Sequence, residues 1–188
     1  MQPGLEPFRS AIEAIQRLLA KFDNRGVVIG GIAVGFLGKP RFTEDVDAMF
    51  LLSMEDIGKF LKAAKAEDIQ PRIPDAEAFA RKSRVLLLRH LPSKINIDIS
   101  LGVLPFEEEM VDRGSVRSTS TLSVRLPTPE DLIIMKAVAH RPKDLEDIRT
   151  IIDKHPQLDV DRIRKWTKSF ADILEMPVLW IDIEGMFK

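Results

Sequence analysis

The chain of 188 residues contains no cysteine, so disulfides and thiolate metal sites are excluded. Histidine is scarce: three residues stand far apart, at His90, His140 and His155, which argues against a histidine zinc cluster. No basic excess is present. Net charge is -1 and the sequence pI is about 6.3, which is unlike a general electrostatic grip on nucleic acid but leaves room for a local basic cleft. The apolar runs are too short to cross a bilayer. The N-terminal stretch MQPGLEPFRS lacks the apolar core of a signal peptide. No internal repeat or low-complexity segment breaks the chain. With 45% hydrophobic and 30% charged residues, the expectation is a cytoplasmic protein with a core and no membrane partner.

Apolar periodicity divides what is there into two halves. Phe8, Ile12, Ile15, Leu19 and Phe22 recur at steps of three and four, the stripe of an amphipathic helix, with Asn24 and Gly26 as its stop. Residues 27–29 read as a short buried strand, 32–37 as a helix broken by Lys39-Pro40, and 46–52 as a second strand. Ser53, with Asp56 three residues on, reads as the cap of a helix running to about Glu67. Residues 70–83 read as loop and a short helix, and 85–89 as a strand. A turn at 91–94 then leads into Ile95, Ile97 and Ile99 alternating with Asn96, Asp98 and Ser100. That alternation is a half-buried strand with one polar face, the second arm of an antiparallel hairpin. Residues 115–126 add one more strand.

From Thr128 the pattern is helical. Thr128 suits the cap, Pro129 the first turn, and Glu130 and Asp131 the positive end of the helix dipole. Helical periodicity covers 132–139, 144–154 and 159–174, and the apolar tail with Trp180 and Phe187 is expected to dock on the core. The expected organisation is an α/β core over 1–127 and a helical part over 128–188.

The segment VVIGGIAVGFLGKPRFTEDVDAMF, residues 27–50, carries the chemistry. Gly30 and Gly31 at a strand-to-helix turn serve either a tight turn or close backbone approach to an anion. Asp45 and Asp47 stand two apart in a strand and so share a face, where they repel one another unless a cation joins them. Hard divalent ions take such oxygen sites and keep room for substrate phosphates. Asp98 lies on the polar face of a strand able to pair beside the first. Three carboxylates facing a glycine turn suit two-metal phosphoryl transfer.

The order Gly-Gly, spacer, RFTEDVDAMF and then INIDIS resembles the nucleotidyltransferase superfamily of DNA polymerase β-like fold. PTPEDLIIMKAVAHRPKDLEDIRTII resembles the helical motifs of AbiEii/AbiGii-type nucleotidyltransferases, known as toxins of toxin–antitoxin systems. The resemblance runs over about 27–152. It implies an α/β (α+β) fold, a mixed sheet flanked by helices, followed by a helical part. It also implies Mg²⁺ or Mn²⁺, a nucleoside triphosphate and an acceptor hydroxyl; RNA, a protein and a small molecule such as an aminoglycoside-like drug all offer one, and the resemblance favours RNA or protein. An antitoxin protein would be a partner.

By position, Gly30 and Gly31 would hold the triphosphate, and Asp45 and Asp47 the metals. Asp98 would complete the metal site and take the proton of the attacking hydroxyl. Lys136 and Arg41 would neutralise phosphates, and Thr43 would donate a hydrogen bond near the acids. Bland readings stand beside these. Arg41 also suits a local pairing with Asp45 or Glu44, and Lys136 a snorkelling core-edge position. Asp144 and Asp147 suit surface pairing or capping. The cluster RIRKWTK at 162–168 is either a solvated helix face or a contact for a nucleic-acid acceptor. An NTase-like module that binds nucleotide or a partner without turnover is the alternative to an enzyme, and the presence of all three acids speaks against it.

Overall fold

The computed structural model describes residues 5–187. They fall into two compact units, one comprising 5–32 and 40–127, the other 33–39 and 128–187. The segment 33–39, placed in the core by the sequence reading, thus belongs with the helices. Among the described residues no helix is long and apolar enough to cross a membrane.

The first unit is built on a mixed five-stranded sheet. Its strands are β1 (Gly26–Val28), β2 (Asp45–Phe50), β3 (Ile69–Pro71), β4 (Val85–His90) and β5 (Asn96–Leu101), in the order β1-β2-β5-β4-β3. β2 and β5 are parallel and the other neighbours antiparallel. The alternation in β5 sets the faces. Ile97, Ile99 and Leu101 are buried together with Val46, Ala48, Leu86 and Leu88, while Asn96, Asp98 and Ser100 are half-buried on the other face.

Helix α1 (Arg9–Lys21) follows a single 3-10 turn and buries Ala11, Ile12, Ala14, Ile15, Leu18 and Leu19. Asp23 and Asn24 end it with positive φ. Gly26, expected to help stop the helix, is instead the first residue of β1. A side chain there would run into the Met49 carbonyl. Helix α2 (Gly30–Leu37) includes both glycines in its first turn rather than starting after them.

Ser53 and Asp56 do form the expected reciprocal pair (Ser53 Oγ to the Asp56 carboxylate, 2.7 Å), but it closes a turn, and α3 starts later, at Ile57–Lys65. Phe60 of α3 packs edge-on against Phe50, with centroids 5.0 Å apart. α4 (Ala76–Ser83) leads into β4.

Two elements in this unit escaped the sequence reading. β3 is a three-residue edge strand ending in proline, too short for any alternation to register. α5 (Pro105–Arg113) starts at a proline, and the Glu107 carboxylate accepts from the Val103 and Leu104 amides at 2.7 and 2.8 Å. Residues 115–126 form a hairpin, β6 (Ser115–Ser118) and β7 (Ser123–Leu126), rather than one strand.

In the second unit α6 (Pro129–Ala139) starts as expected: the Thr128 hydroxyl accepts from the Asp131 amide at 3.2 Å. α7 (Pro142–Lys154), α8 (Val160–Leu174) and α9 (Val178–Glu184) follow. Trp180 of α9 is buried and stacks on Phe187 at 6.0 Å. The end of α2 is tied to α7 and the residue after it: Lys154 Nζ donates to the Phe36 carbonyl (2.8 Å), and His155 Nε2 lies 2.8 Å from the Leu37 carbonyl.

Two ion clusters lie inside this unit. Lys136 does not snorkel. Its side chain is 6% exposed, and its ammonium lies 2.9 Å from both the Asp144 and the Asp147 carboxylates. These acids are therefore buried, not surface pairs. Asp144 also caps α7, accepting from the Arg141 amide at 3.2 Å and the Arg141 guanidinium at 2.6 Å. Burial pushes the Asp144 carboxyl up, but hydrogen bonds from Arg141 and Lys136 outweigh it and hold the group below the ordinary value of 3.8. Arg162, expected on a solvated face, pairs with the fully buried Asp131 at 2.8 Å.

Lys136→Met removes the cation that two buried carboxylates share, Asp144 keeping Arg141, and breaking a buried pair costs about 3–5 kcal/mol. Urea unfolding should show a midpoint well below wild type. The triple variant Lys136→Met, Asp144→Asn, Asp147→Asn should recover part of the loss. The depressed Asp144 contributes stability above the ordinary aspartate range and loses it as pH falls through the folded value, so Asp144→Asn should flatten the acid side of the stability profile. An unchanged midpoint for Lys136→Met would mean that the cluster carries little.

Candidate active site

Register brings the acids together. In the parallel β2–β5 ladder Asp45 lies beside Asn96 and Asp47 directly beside Asp98. All three aspartates project from the half-buried face, and one carboxylate oxygen from each lies within 4.8 Å of the others. Like charges on neighbouring strands are unfavourable. One compensating cation comes from the protein: the Arg72 guanidinium donates to Asp98 Oδ1, its side chain and that of Asp98 each being 30% exposed. Sequence reading missed Arg72. It follows an edge strand too short to recognise, and only the register shows that it can reach over β4.

Burial pushes the Asp98 carboxyl above the ordinary aspartate value. The Arg72 guanidinium pulls it back, and the charge of Asp45 adds to the rise. A carboxylate held this way is a better proton acceptor than a solvated one.

The glycine turn abuts the same acids. The Ile29 amide donates to the Asp47 carbonyl at 2.9 Å, which sets the start of α2 against β2. Gly30 has φ +63°, a left-handed conformation natural to glycine, and a side chain there would occupy the space of the Asp47 carboxylate. A Cβ on Gly31 would lie 2.8 Å from the Thr43 Cβ and Oγ1. Thr43 donates to Asp45 Oδ1 at 3.1 Å, the hydrogen bond anticipated near the acids. Arg41 donates to the Phe42 carbonyl at 3.1 Å and, with Phe42 and Thr43, lines a cavity of about 660 Å³. Lys136 belongs to the buried cluster of the helical unit described above.

The donor set fits divalent cations. It is all oxygen, carries up to three negative charges, is half-buried, and lies beside the start of α2. A mixed sheet carrying such a triad next to a glycine-led helix defines a nucleotidyltransferase. Residues 6–177 match the family described as "Nucleotidyltransferase of unknown function (DUF6036)", and the chain belongs to that family of nucleotidyl-transfer enzymes. The toxin-type family suggested by the helical motif is not the one matched.

No curated protein matches the chain. Solved structures share the fold. An antigenic nucleotidyltransferase-like protein from Paracoccidioides brasiliensis aligns with TM-score 0.57 and 15% identity, over 98% of this chain and 93% of that one. ANT(2")-Ia in complex with adenylyl-2"-tobramycin aligns at 0.55 and 15%, over 88% and 99%. The Megavirus polyadenylate synthase aligns at 0.51 and 11%, over 85% of this chain but 34% of the synthase.

Gly30→Ala should both strain the turn and displace Asp47. A non-glycine residue forced into an unfavourable backbone region costs about 1–3 kcal/mol. Thermal melts should fall accordingly, and Mn²⁺ affinity by calorimetry should drop with them. Wild-type values for both would show that Gly30 does not set the position of Asp47.

Proposed function

We propose that this protein moves a nucleoside monophosphate from a nucleoside triphosphate to an acceptor hydroxyl, with Asp45, Asp47 and Asp98 as ligands of Mg²⁺ or Mn²⁺. One observation carries the reading: three carboxylates converge within 4.8 Å beside a glycine-led helix start. The bound ions would neutralise charge on the phosphates and lower the pKa of the attacking hydroxyl.

The protein's own part is positioning and electrostatics. Amides of the first turn of α2 bind phosphate oxygens, and Gly31, by lacking a side chain, lets Thr43 sit against that turn. Thr43 holds Asp45 in place through its hydrogen bond. Arg41, at the cavity rim, offers a cation to the phosphates. Asp98 accepts the hydroxyl proton as the acceptor oxygen bonds to the α-phosphorus and the bond to pyrophosphate breaks. Lys136, held by two aspartates, is assigned to joining α6 and α7 rather than to phosphate.

The acceptor class spans RNA, protein and small molecules. Relatives in fold whose names record tobramycin and polyadenylate support that range. We place the protein in the cytoplasm, where nucleoside triphosphates are abundant. Its 136–147 segment supports a toxin role, in which expression alone arrests growth and an antitoxin partner relieves it.

NTP affinity should depend on the metal: a fluorescent NTP titrated with Mg²⁺ and then with EDTA should be bound and then released. Equal affinity in both conditions sinks the metal assignment. Asp98→Asn should leave NTP affinity nearly unchanged and slow single-turnover transfer by about 10²–10⁴-fold, the usual loss on removing a general base. Acceptors for that assay come from labelled NTP incubated with total RNA, a protein mixture and tobramycin. Full transfer by the variant would remove Asp98 from the chemistry. Tight, metal-dependent binding with no transfer by wild type to any acceptor would favour the non-catalytic module.

A further inference from the structure

The open face of the sheet continues past Asp98 onto β4 and β3, and register fixes what stands there. Leu87 pairs with Asp98, Arg89 with Asn96 and Gln70 with Arg89. The Arg72 amide, one residue beyond β3, donates to the Leu87 carbonyl at 3.0 Å. Residues paired across a ladder share a face. Asp47, Asp98, Leu87 and Arg72 therefore form one transverse row, with Arg89 and Gln70 in the row beside it. On this face β3, β4, β5 and Arg72 present Gln70, Arg72, Val85, Leu87, Arg89, Asn96, Asp98 and Ser100, so Asp98 is the sole carboxylate there.

The two arginines keep most of their donors. Among the described residues, Arg72 gives one N–H to Asp98. Arg89 is exposed and gives its Nε to the Lys94 carbonyl at 3.0 Å, a bond that does not use the two terminal nitrogens of its fork. A guanidinium offers five N–H groups in a plane that matches phosphate oxygens bidentately.

We propose that Arg72 and Arg89 form the binding arm for the acceptor, and that the acceptor carries a phosphate close to the hydroxyl it presents to Asp98. The proposal rests on the transferase reading above and deepens it. Asp45, Asp47 and Gly30 take the nucleotide on one side of Asp98, and the arginines lie on the other. A polycationic acceptor would meet two guanidinium groups there and a single carboxylate already paired with one of them, an arrangement that rejects like charge. The phosphate has two sources, the terminal nucleotides of a strand or a free phosphorylated metabolite.

The test uses the full chain saturated with Mg²⁺ and a non-hydrolysable NTP analogue, so that the nucleotide side is filled. The probes are a short labelled oligoribonucleotide with a free 3′ hydroxyl, glucose 6-phosphate with glucose as control, and tobramycin. Wild type should bind at least one phosphate probe, more weakly as salt rises. Arg72→Met and Arg89→Met should each weaken that binding about tenfold or more, as expected for a lost charged hydrogen bond. NTP-analogue affinity of Arg89→Met should stay within about threefold, the range of a substitution outside that subsite. Arg89→Met touches no member of the triad, so its effect reports on the arm alone, and circular dichroism checks both folds.

Binding of the oligonucleotide but not glucose 6-phosphate assigns a strand terminus; binding of glucose 6-phosphate assigns a free metabolite. The proposal is overturned if neither phosphate probe binds, if the variants bind as wild type does, or if tobramycin is preferred. Absence of NTP-analogue binding would instead overturn the transferase reading, and phosphate binding that still requires the arginines would keep the arm as an anion site.

Discussion

Asp47 beside Asp98 is the constraint on which this site turns. A parallel ladder puts the two carboxylates side by side, Asp45 stands two residues away on the same face, and burial raises the cost of keeping Asp98 charged. Left alone, such a cluster would protonate or splay apart. The Arg72 guanidinium answers the charge of Asp98, and the three carboxylates converge closely enough for their oxygens to share a cation. Gly30 belongs to the same constraint, because its missing side chain is what leaves room for the Asp47 carboxylate.

The helical unit handles buried acids in the opposite way. Asp144 and Asp147 share Lys136, Asp144 also takes Arg141, and Asp131 takes Arg162. Those carboxylates are satisfied within the fold and have no need of an external ion. The contrast is one of arrangement: a buried acid with cations of its own at hydrogen-bond distance holds helices together, whereas three half-buried carboxylates converging within 4.8 Å form a set of oxygens that could hold a metal ion.

How much of this the sequence disclosed follows from the range over which each signal acts. The period of two in 95–100 disclosed β5 and the face that Asp98 occupies, because alternation is a local property. The spacing of Asp45 and Asp47 disclosed a shared face for the same reason. The stripe of α1 and the Thr128 cap were legible from neighbouring residues. β3 was not, since three residues ending in proline carry no period. Neither was the partner of Asp98, which lies 26 positions away and is brought near by strand order alone. The ion-pair partners of Lys136, expected to be phosphate or, on the bland reading, water at the core edge, were not legible either: its neighbours on the helix are apolar, and its aspartates sit on the next helix, at a distance in sequence that no periodicity reports.

Strand order also decides what the site can discriminate. The acids, the glycine turn and Thr43 lie on α2, β2 and β5 or the loops beside them, and in the proposed reaction they would take the nucleoside triphosphate. The proposed acceptor arm stands on the far side of Asp98, on β4 and next to the edge strand β3. The open face there carries Arg72, Arg89 and Gln70 around Leu87 and no acid beyond Asp98 itself. On the proposed reading the nucleotide half of the reaction is written in the local motif, and the acceptor half in two arginines, one on β4 and one just past β3, that belong to no motif and are brought together by strand order alone.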